Sequence, residues 1–328
     1  MQIDFVGPPR FAGLFQPSID ALTTQGHAAR WFRDPATYVA DAKLDVLVAL
    51  RNERVTGALM ERAPRLRALI SPVTGTEGFD EAAATARTIL VANGQIPENY
   101  VSMAEATVML VLAALYDLNG TQRVLTENLS RPEHLRARML SGKTVGLIGF
   151  GQIAQSVAAR LTPWQCTMVA AVRTPRALPD HVRAVPLDAL LATSDVVVVL
   201  ASLNDQTRGL LDAAKLEQMK PNVTFVNVAR GGIVDQKALA RLAAERPDMR
   251  IALDVFDPDP LETDSPLRRL PNAILTPHMV GHTRETHERL PVVLLENIER
   301  VIAGKVPDHV RNPQIIDAWR ARFAGSGR

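Results

Sequence analysis

The chain has few of the features that mark secreted, membrane-spanning or nucleic-acid-binding proteins. Its 328 residues include a single cysteine, Cys166, which leaves no pair for an internal disulfide and is typical of a reducing compartment. Apolar runs stay well short of a membrane span, and Asp4, Pro8 and Pro9 interrupt the start of the chain, where a signal peptide needs an apolar run. A formal net charge of +2 gives no reason to expect nucleic acid or a membrane surface as a partner. We therefore expect a cytoplasmic globular protein.

The stretch 144–161, TVGLIGFGQIAQSVAARL, indicates a strand, a glycine turn and a helix. Small residues in the turn follow the pattern G-x-G-x-x-A, in which one glycine makes the turn and the second lets the backbone approach a pyrophosphate. The small third residue lets helix and strand pack closely. The helix start then offers its N–H groups to the phosphates. This pattern predicts a dinucleotide site, with Gly149, Gly151, Gln152, Ile153 and Ala154 as its first contacts.

Strand and helix patterns alternate along the whole chain, which predicts an α/β fold with parallel sheets. Five short apolar runs precede residue 100, and six strand candidates follow from residue 144 onward. We expect two doubly wound domains, a Rossmann cofactor domain and a smaller flavodoxin-like substrate domain. Residues 1–101 and 287–328 would form the substrate (catalytic) domain, and residues 102–286 the dinucleotide-binding domain.

The most apolar helical stretch lies at 102–118, where Ser102 is followed three residues later by Glu105. This spacing is typical of a capping box and predicts that the helix begins at Ser102. The segment 119–141 that follows is more polar and carries a cluster of arginines. We expect it to be a solvated helix or loop that could contact a second subunit.

Charged side chains follow the later strands of the second domain. Arg230 follows the fourth strand, Asp254 and Asp259 close the fifth, and His278 follows the sixth. Because ligands of open parallel sheets bind at the carboxyl ends of the strands, these residues should converge there. Arginine offers a planar fork to a carboxylate, and histidine exchanges protons near neutral pH. With an acid to orient the imidazole, the set predicts reduction of a 2-keto acid.

Other interpretations of these side chains have less support. His278 with His282 and His287, or Asp254 with Asp257 and Asp259, could in principle bind a metal ion, but the helix or the prolines between them argue against it. We therefore predict no metal. A histidine after a strand, taken alone, is more often structural. A serine hydrolase has no support, since the sequence lacks G-x-S-x-G.

Four motifs in order resemble the D-isomer-specific 2-hydroxyacid dehydrogenase family, which includes glyoxylate and hydroxypyruvate reductases. They are SGKTVGLIGFGQIA, FVNVARGGIVD, ALDVFDPDPL and PNAILTPHMVGHT, with weaker matches at GTEGFD and NYVSMAEAT. The resemblance implies that Arg230 orients the substrate, His278 is the acid/base and Asp254 contacts the nicotinamide carboxamide. It further implies a homodimer, and a substrate site that includes Thr74 and Gly75, with Asn99 and Arg51 as weaker candidates.

Two positions depart from the family pattern. Asp259 stands where the family usually has glutamate, so the partner of His278 is shorter by one methylene. Arg173 stands where an NAD enzyme usually carries an acid for the ribose hydroxyls, and Thr174 and Arg176 follow it. Cations and a hydroxyl suit a 2′-phosphate, so we expect NADP(H) over NAD(H). The sequence thus predicts an NADPH-dependent reductase of small 2-keto acids. The alternative is a non-catalytic dinucleotide-binding protein with a redox-sensing or scaffold role.

Overall fold

The computed structural model describes residues 1–174 and 176–323, and the chain divides into two compact units. Unit 1 contains Met1–Glu98 and the chain from Thr283 onward, and unit 2 contains Asn99–His282. Each unit has its own parallel sheet with helices packed on it.

Unit 1 is built on a five-stranded parallel sheet in the order β2-β1-β3-β4-β5. This is the flavodoxin-like order, in which the direction of winding reverses between β1 and β3. Its strands are β1 (Gln2–Val6), β2 (Ala28–Phe32), β3 (Leu44–Ala49), β4 (Ala68–Ser71) and β5 (Leu90–Asn93), and its helices are α1 (Ala12–Thr24), α2 (Gly57–Glu61), α3 (Glu81–Ala86), α10 (Arg284–Ile302) and α11 (Ile316–Phe323).

Alternate residues of the central strand β3 face opposite sides of this sheet. Val46 and Val48 pack in the same cluster as Leu294 of α10, whereas Leu47 packs in the cluster that contains Met60 of α2. A strand that is buried on both faces needs apolar residues at every position. This requirement explains the nearly unbroken apolar run LDVLVA, all of it buried.

Unit 2 is built on a seven-stranded parallel sheet in the order β12-β11-β10-β9-β6-β7-β8. Its elements are α4 (Pro97–Leu115, which begins in unit 1), α5 (Leu118–Thr126), β6 (Thr144–Ile148), α6 (Gln152–Leu161), β7 (Thr167–Ala171), β8 (Val182–Ala184), α7 (Leu187–Thr193), β9 (Val196–Val199), α8 (Ala213–Glu217), β10 (Thr224–Asn227), α9 (Gln236–Glu245), β11 (Arg250–Leu253) and β12 (Ala273–Leu275). The six strands expected from the sequence are all present. The edge strand β8 was not expected, because three residues with one buried side chain leave no periodic signal.

The predicted start of α4 at Ser102 is wrong, because the helix begins at Pro97. Proline is favoured in a first helical turn, where its missing N–H costs nothing. Ser102 lies inside the helix, and its hydroxyl donates to the carbonyls of Asn99 at 3.0 Å and Gly281 at 2.9 Å. The apparent capping box is therefore a helix-interior serine with a partner in the loop after β12.

Among the described helices, α4 is the one whose length and composition would allow it to cross a membrane. Core helices of globular proteins meet the same criterion. Leu110 and Val111 of α4 are buried in one cluster with Val145 and Leu147 of β6, so this apolar face packs within unit 2.

Candidate active site

The glycine turn after β6 leaves open space in front of α6. Gly149 has φ +89°, and a Cβ there would lie 2.8 Å from the Cα of Ala201, so a side chain is excluded on two counts. Gly151 is the N-cap of α6 and provides no side-chain cap, and a Cβ at Gly151 would meet nothing within 4 Å. Ala154 is fully buried against the sheet. Uncapped helix N–H groups behind an open turn fit the pyrophosphate of a dinucleotide.

The arginines after β7 have different surroundings. Arg173 and Thr174 line an open pocket with the 204–206 loop, and Arg173 Nη1 donates to Gln206 Oε1 at 2.7 Å. The Arg176 guanidinium instead donates to the carbonyl of Phe150 and lies 5.7 Å from the centre of its ring. Arg176 therefore braces the glycine turn, while Arg173 faces the pocket.

A buried asparagine shapes the turn that carries Arg230. Asn227 ends β10 and is 2% exposed; its Nδ2 donates to the carbonyl of Arg230 at 3.0 Å and its Oδ1 accepts from Ala229 N–H at 3.1 Å. The half-buried Arg230 also donates from Nη1 to the carbonyl of Ala229 at 2.7 Å. Asn227 is not among the site residues predicted from the sequence, although a polar residue at the end of a buried strand is a usable signal.

Gly231 brings the Arg230 turn into backbone contact with the loop after β11. A Cβ at Gly231 would lie 2.0 Å from the carbonyl carbon of Phe256 and 2.6 Å from Asp257 N. The peptide between Phe256 and Asp257 occupies that space. The turn that carries Arg230 and the loop that leads to Asp259 therefore pack without an intervening side chain.

Asp254 fastens the loop that carries His278. Its carboxylate is 2% exposed, and Oδ1 accepts from Thr276 Oγ1 at 2.7 Å, from Met279 N–H at 3.0 Å and from Val280 N–H at 3.2 Å. Charge-assisted hydrogen bonds of this kind are the stronger ones in proteins. Ser102 also donates to the carbonyl of Gly281, which follows Val280. The loop is therefore held both before His278, at Thr276, and after it.

His278 is at the tip of this loop with φ +58°, a left-handed conformation that few non-glycine residues adopt. Its Nδ1 hydrogen-bonds Asp259 Oδ2, and the two side chains are 22% and 29% exposed. Because the carboxylate accepts, Nδ1 is the donor, and Nε2 is the ring nitrogen suited to proton exchange with a substrate. Despite its shorter side chain, Asp259 thus reaches the histidine.

The predicted substrate residues are divided between the units. Thr74 and Gly75 follow β4 and Arg51 follows β3, all in unit 1, whereas Asn99 is in the first turn of α4 in unit 2. The Thr74 carbonyl accepts from Asn93 Nδ2 at 2.7 Å, and the Gly75 carbonyl accepts from Ser71 Oγ at 2.6 Å. Arg51 accepts at its carbonyl from Gly78 N–H at 2.6 Å. These bonds order the carboxyl edge of the unit 1 sheet.

The candidate metal ligands do not assemble. Within residues 1–174 and 176–323, no group of three His, Cys, Asp or Glu side chains could hold a metal ion. Asp254 is used by the 276–280 loop and Asp259 contacts His278, so the three-aspartate and three-histidine interpretations find no geometric support.

Comparison with known proteins identifies relatives of this chain. The sequence model for the NAD binding domain of D-isomer specific 2-hydroxyacid dehydrogenases matches residues 108–280. D-3-phosphoglycerate dehydrogenase of Mycobacterium bovis is 33% identical over 301 residues, which are 90% of this chain but only 57% of that protein. Glyoxylate reductase of Pyrococcus furiosus is 29% identical over 289 residues, 85% of this chain and 86% of that protein.

A solved structure of a Thermus thermophilus protein superposes with a TM-score of 0.82 at 29% identity, over 94% of this chain and all of that one.

The chain spans little more than half of the phosphoglycerate dehydrogenase that it matches, and most of the glyoxylate reductase. The family model alone covers the glycine turn, Arg230, Asp254, Asp259 and His278. The chain belongs to the D-isomer-specific 2-hydroxyacid dehydrogenase family.

Proposed function

We propose that the protein reduces small 2-keto acids to 2-hydroxy acids with NADPH. The observation that carries this proposal is the hydrogen bond between His278 and Asp259, beside the turn of Arg230 on the neighbouring strands. A bound reduced nicotinamide supplies the hydride for C2. Arg230 orients the acid, and His278 Nε2 gives a proton to the carbonyl oxygen. Asp259 keeps the imidazole oriented and stabilises its charged form.

Each of the two domains expected from the sequence has its own role in this proposal. Residues 102–286 bind the dinucleotide; the family model that matches 108–280 within this range is described as an NAD binding domain. Residues 1–101 with 287–328 bind the substrate, whose carboxylate meets the ordered 74–75 loop. Asp254 fastens the His278 loop, and in this proposal it also contacts the nicotinamide carboxamide, as the family resemblance implies. Arg51 and Asn99 contribute to the substrate site, and the cytoplasmic location stays a prediction.

Glyoxylate and hydroxypyruvate are the substrates that we propose first, since a relative that matches along most of its length is named a glyoxylate reductase. Phosphoglycerate dehydrogenases match at equal strength, so 3-phosphohydroxypyruvate belongs in the same panel. The experiment is steady-state kinetics of the purified chain with each acid, with NADPH and with NADH. Turnover of glyoxylate or hydroxypyruvate supports the proposal, and turnover of the phosphorylated acid alone contradicts the substrate choice.

The cofactor preference rests on Arg173 and Thr174, which line the open pocket after β7. A guanidinium there would make charge-assisted hydrogen bonds to the 2′-phosphate of NADPH. It would make no bonds of comparable strength to the 2′-hydroxyl of NADH. We expect Arg173→Ala to lower kcat/KM for NADPH by about 10- to 100-fold, since such bonds contribute about 1.5–3 kcal/mol. The value for NADH should change less than about threefold. Preference of the wild type for NADH would contradict the assignment.

A non-catalytic dinucleotide-binding role is the alternative. Such a role would need the glycine turn, but it would need neither Arg230 nor the hydrogen bond between His278 and Asp259. The structure contains Arg230 on an ordered turn and contains that hydrogen bond. Binding of NADPH without its consumption by any acid of the panel would favour this alternative.

We also propose a homodimer formed through α4, α5 and the loop to β6. Of the twelve large apolar side chains exposed among the described residues, eight lie between residues 101 and 139, which is far more clustering than scattered surface residues show. They are Val101, Met109, Tyr116, Leu118, Leu125, Leu129, Leu135 and Met139.

Leu135, at 89% exposure, gives the test of the dimer. Leu135→Asp should weaken self-association at least about tenfold, because a buried leucine contributes about 1.5–3 kcal/mol. Sedimentation velocity over a concentration series measures this change. Val39→Asp is the control, since Val39 is 58% exposed in unit 1. A wild type that stays monomeric at every concentration would contradict the proposal.

A further inference from the structure

Gln236, the first residue of α9, makes two hydrogen bonds to one residue of the loop after β11. Its Nε2 donates to the carbonyl of Asp257 at 3.3 Å, and its Oε1 accepts from Asp257 N–H at 3.1 Å. A side-chain amide thus pairs with both backbone groups of one residue, as a strand neighbour would. Asp257 stands two positions before Asp259.

Two other groups, Gly231 and Arg208, contact the same part of the loop. Gly231 packs directly on the peptide between Phe256 and Asp257, and this contact limits how closely that peptide can approach the Arg230 turn. Arg208 Nη1 lies 3.9 Å from Asp257 Oδ2, with both side chains more than half exposed, so this ion pair contributes little. Contact with Gly231 sets how close the peptide can come. The Gln236 pair sets its rotation and its position along α9.

We propose that Gln236 is a positioning residue, which allows Asp259 to orient His278 as the longer glutamate usually does in the family. The side chain of Asp259 is one methylene shorter than that of the usual glutamate. The backbone of Asp259 must therefore lie closer to His278 for the carboxylate to contact Nδ1. By pinning Asp257, Gln236 holds the following residues where Oδ2 meets the imidazole. This inference deepens the proposed function and rests on it for its kinetic consequences.

The bonds from Gln236 can be removed without loss of the helix that carries them. Asp235 is the N-cap of α9, and its Oδ1 accepts from Ala238 N–H at 3.0 Å. Leu239 and Ala240 of α9 are buried in the core of unit 2. Gln236→Met keeps a similar volume with no donor or strong acceptor, and Lys237→Ala changes the neighbouring side chain as a control.

The first readout is the imidazole N–H proton of His278 in ¹H NMR of the whole chain, which reports the bond to Asp259 without any turnover. Gln236→Met should weaken or shift this downfield signal, and Lys237→Ala should leave it in place. The second readout is kinetic. We expect kcat to fall by about 10- to 100-fold in Gln236→Met, the size of effect that misplacement by about 1 Å produces. The KM for NADPH should change less than about twofold.

A second substitution separates positioning from general damage. Asp259→Glu in the wild type should lower kcat several-fold, because a longer side chain enters a loop set for aspartate. In the Gln236→Met chain the same change should restore part of kcat, a coupling that independent sites do not show. Additive effects, or a Gln236→Met chain with unchanged NMR signal and kcat, would overturn the inference. Absence of turnover in the wild type would instead reject the proposed function, and the NMR comparison would still decide the role of Gln236.

Discussion

Replacement of His278 by alanine is expected to lower kcat by about 10²- to 10⁴-fold, the usual contribution of a positioned general acid. The imidazole is the group that Asp259 contacts, and in the proposed reaction its Nε2 supplies the proton when the keto oxygen becomes a hydroxyl. Steady-state kinetics with saturating NADPH measures the loss. The Kd for NADPH, from a fluorescence titration, should stay within about twofold, because the glycine turn does not involve the histidine.

His181→Ala is the control for this substitution, since His181 is exposed beside the edge strand β8 and has no part in the proposed reaction. It should keep the wild-type kcat. Equal losses of kcat and cofactor affinity in His278→Ala would argue that His278 only maintains the site, and an unchanged kcat would remove it from the mechanism.

Gly231→Ala is expected to cost both stability and turnover. The added Cβ would lie 2.0 Å from the carbonyl carbon of Phe256, and backbone atoms cannot move aside as the end of a flexible side chain can. Overpacking of this kind destabilises by about 1–3 kcal/mol. Separation of the two loops should displace Arg230 from the Asp259 loop, so kcat should fall about 100-fold. Thermal unfolding and steady-state kinetics of one preparation measure the two effects.

The neighbouring glycine gives a matched control. The closest atoms to a Cβ at Gly232 would be the ends of two exposed side chains, Arg208 Nη1 at 3.0 Å and Asp257 Oδ2 at 3.1 Å, and both can rotate away. Gly232→Ala should therefore keep a Tm near that of the wild type and most of kcat. Similar behaviour of the two alanine variants would contradict the role given to the backbone contact at Gly231.

The parts of this fold that could be predicted from the sequence are those with a repeating physical signal. The buried strands have continuous apolar runs, and the glycine turn has a spacing with few other uses. The start of α4 was placed wrongly because Ser102 and Glu105 mimic a capping box, while Pro97 carries the weaker signal at the true start. Strand β8 is too short for any period to show.

The site divides in the same way. Arg230, Asp259 and His278 follow strands that the sequence marks, so their common edge could be predicted from topology. Residues that hold them in place were missed, because Asn227 and Gln236 act through bonds to backbone groups outside their own elements. No local pattern encodes the bonds from Gln236 to Asp257, 21 residues further along the chain, whereas a polar residue at the end of a buried strand was a usable signal for Asn227.

Isotope transfer tests the central claim most directly. NADPH that carries deuterium at the transferred position of the nicotinamide is incubated with the protein and glyoxylate or hydroxypyruvate, and the product is analysed by mass spectrometry. A hydride-transferring reductase must place one deuterium on C2 of the 2-hydroxy acid. We expect that product from the wild type and about 10²- to 10⁴-fold slower formation from His278→Ala. NADPH that binds but yields no deuterated hydroxy acid with any 2-keto acid would contradict the account.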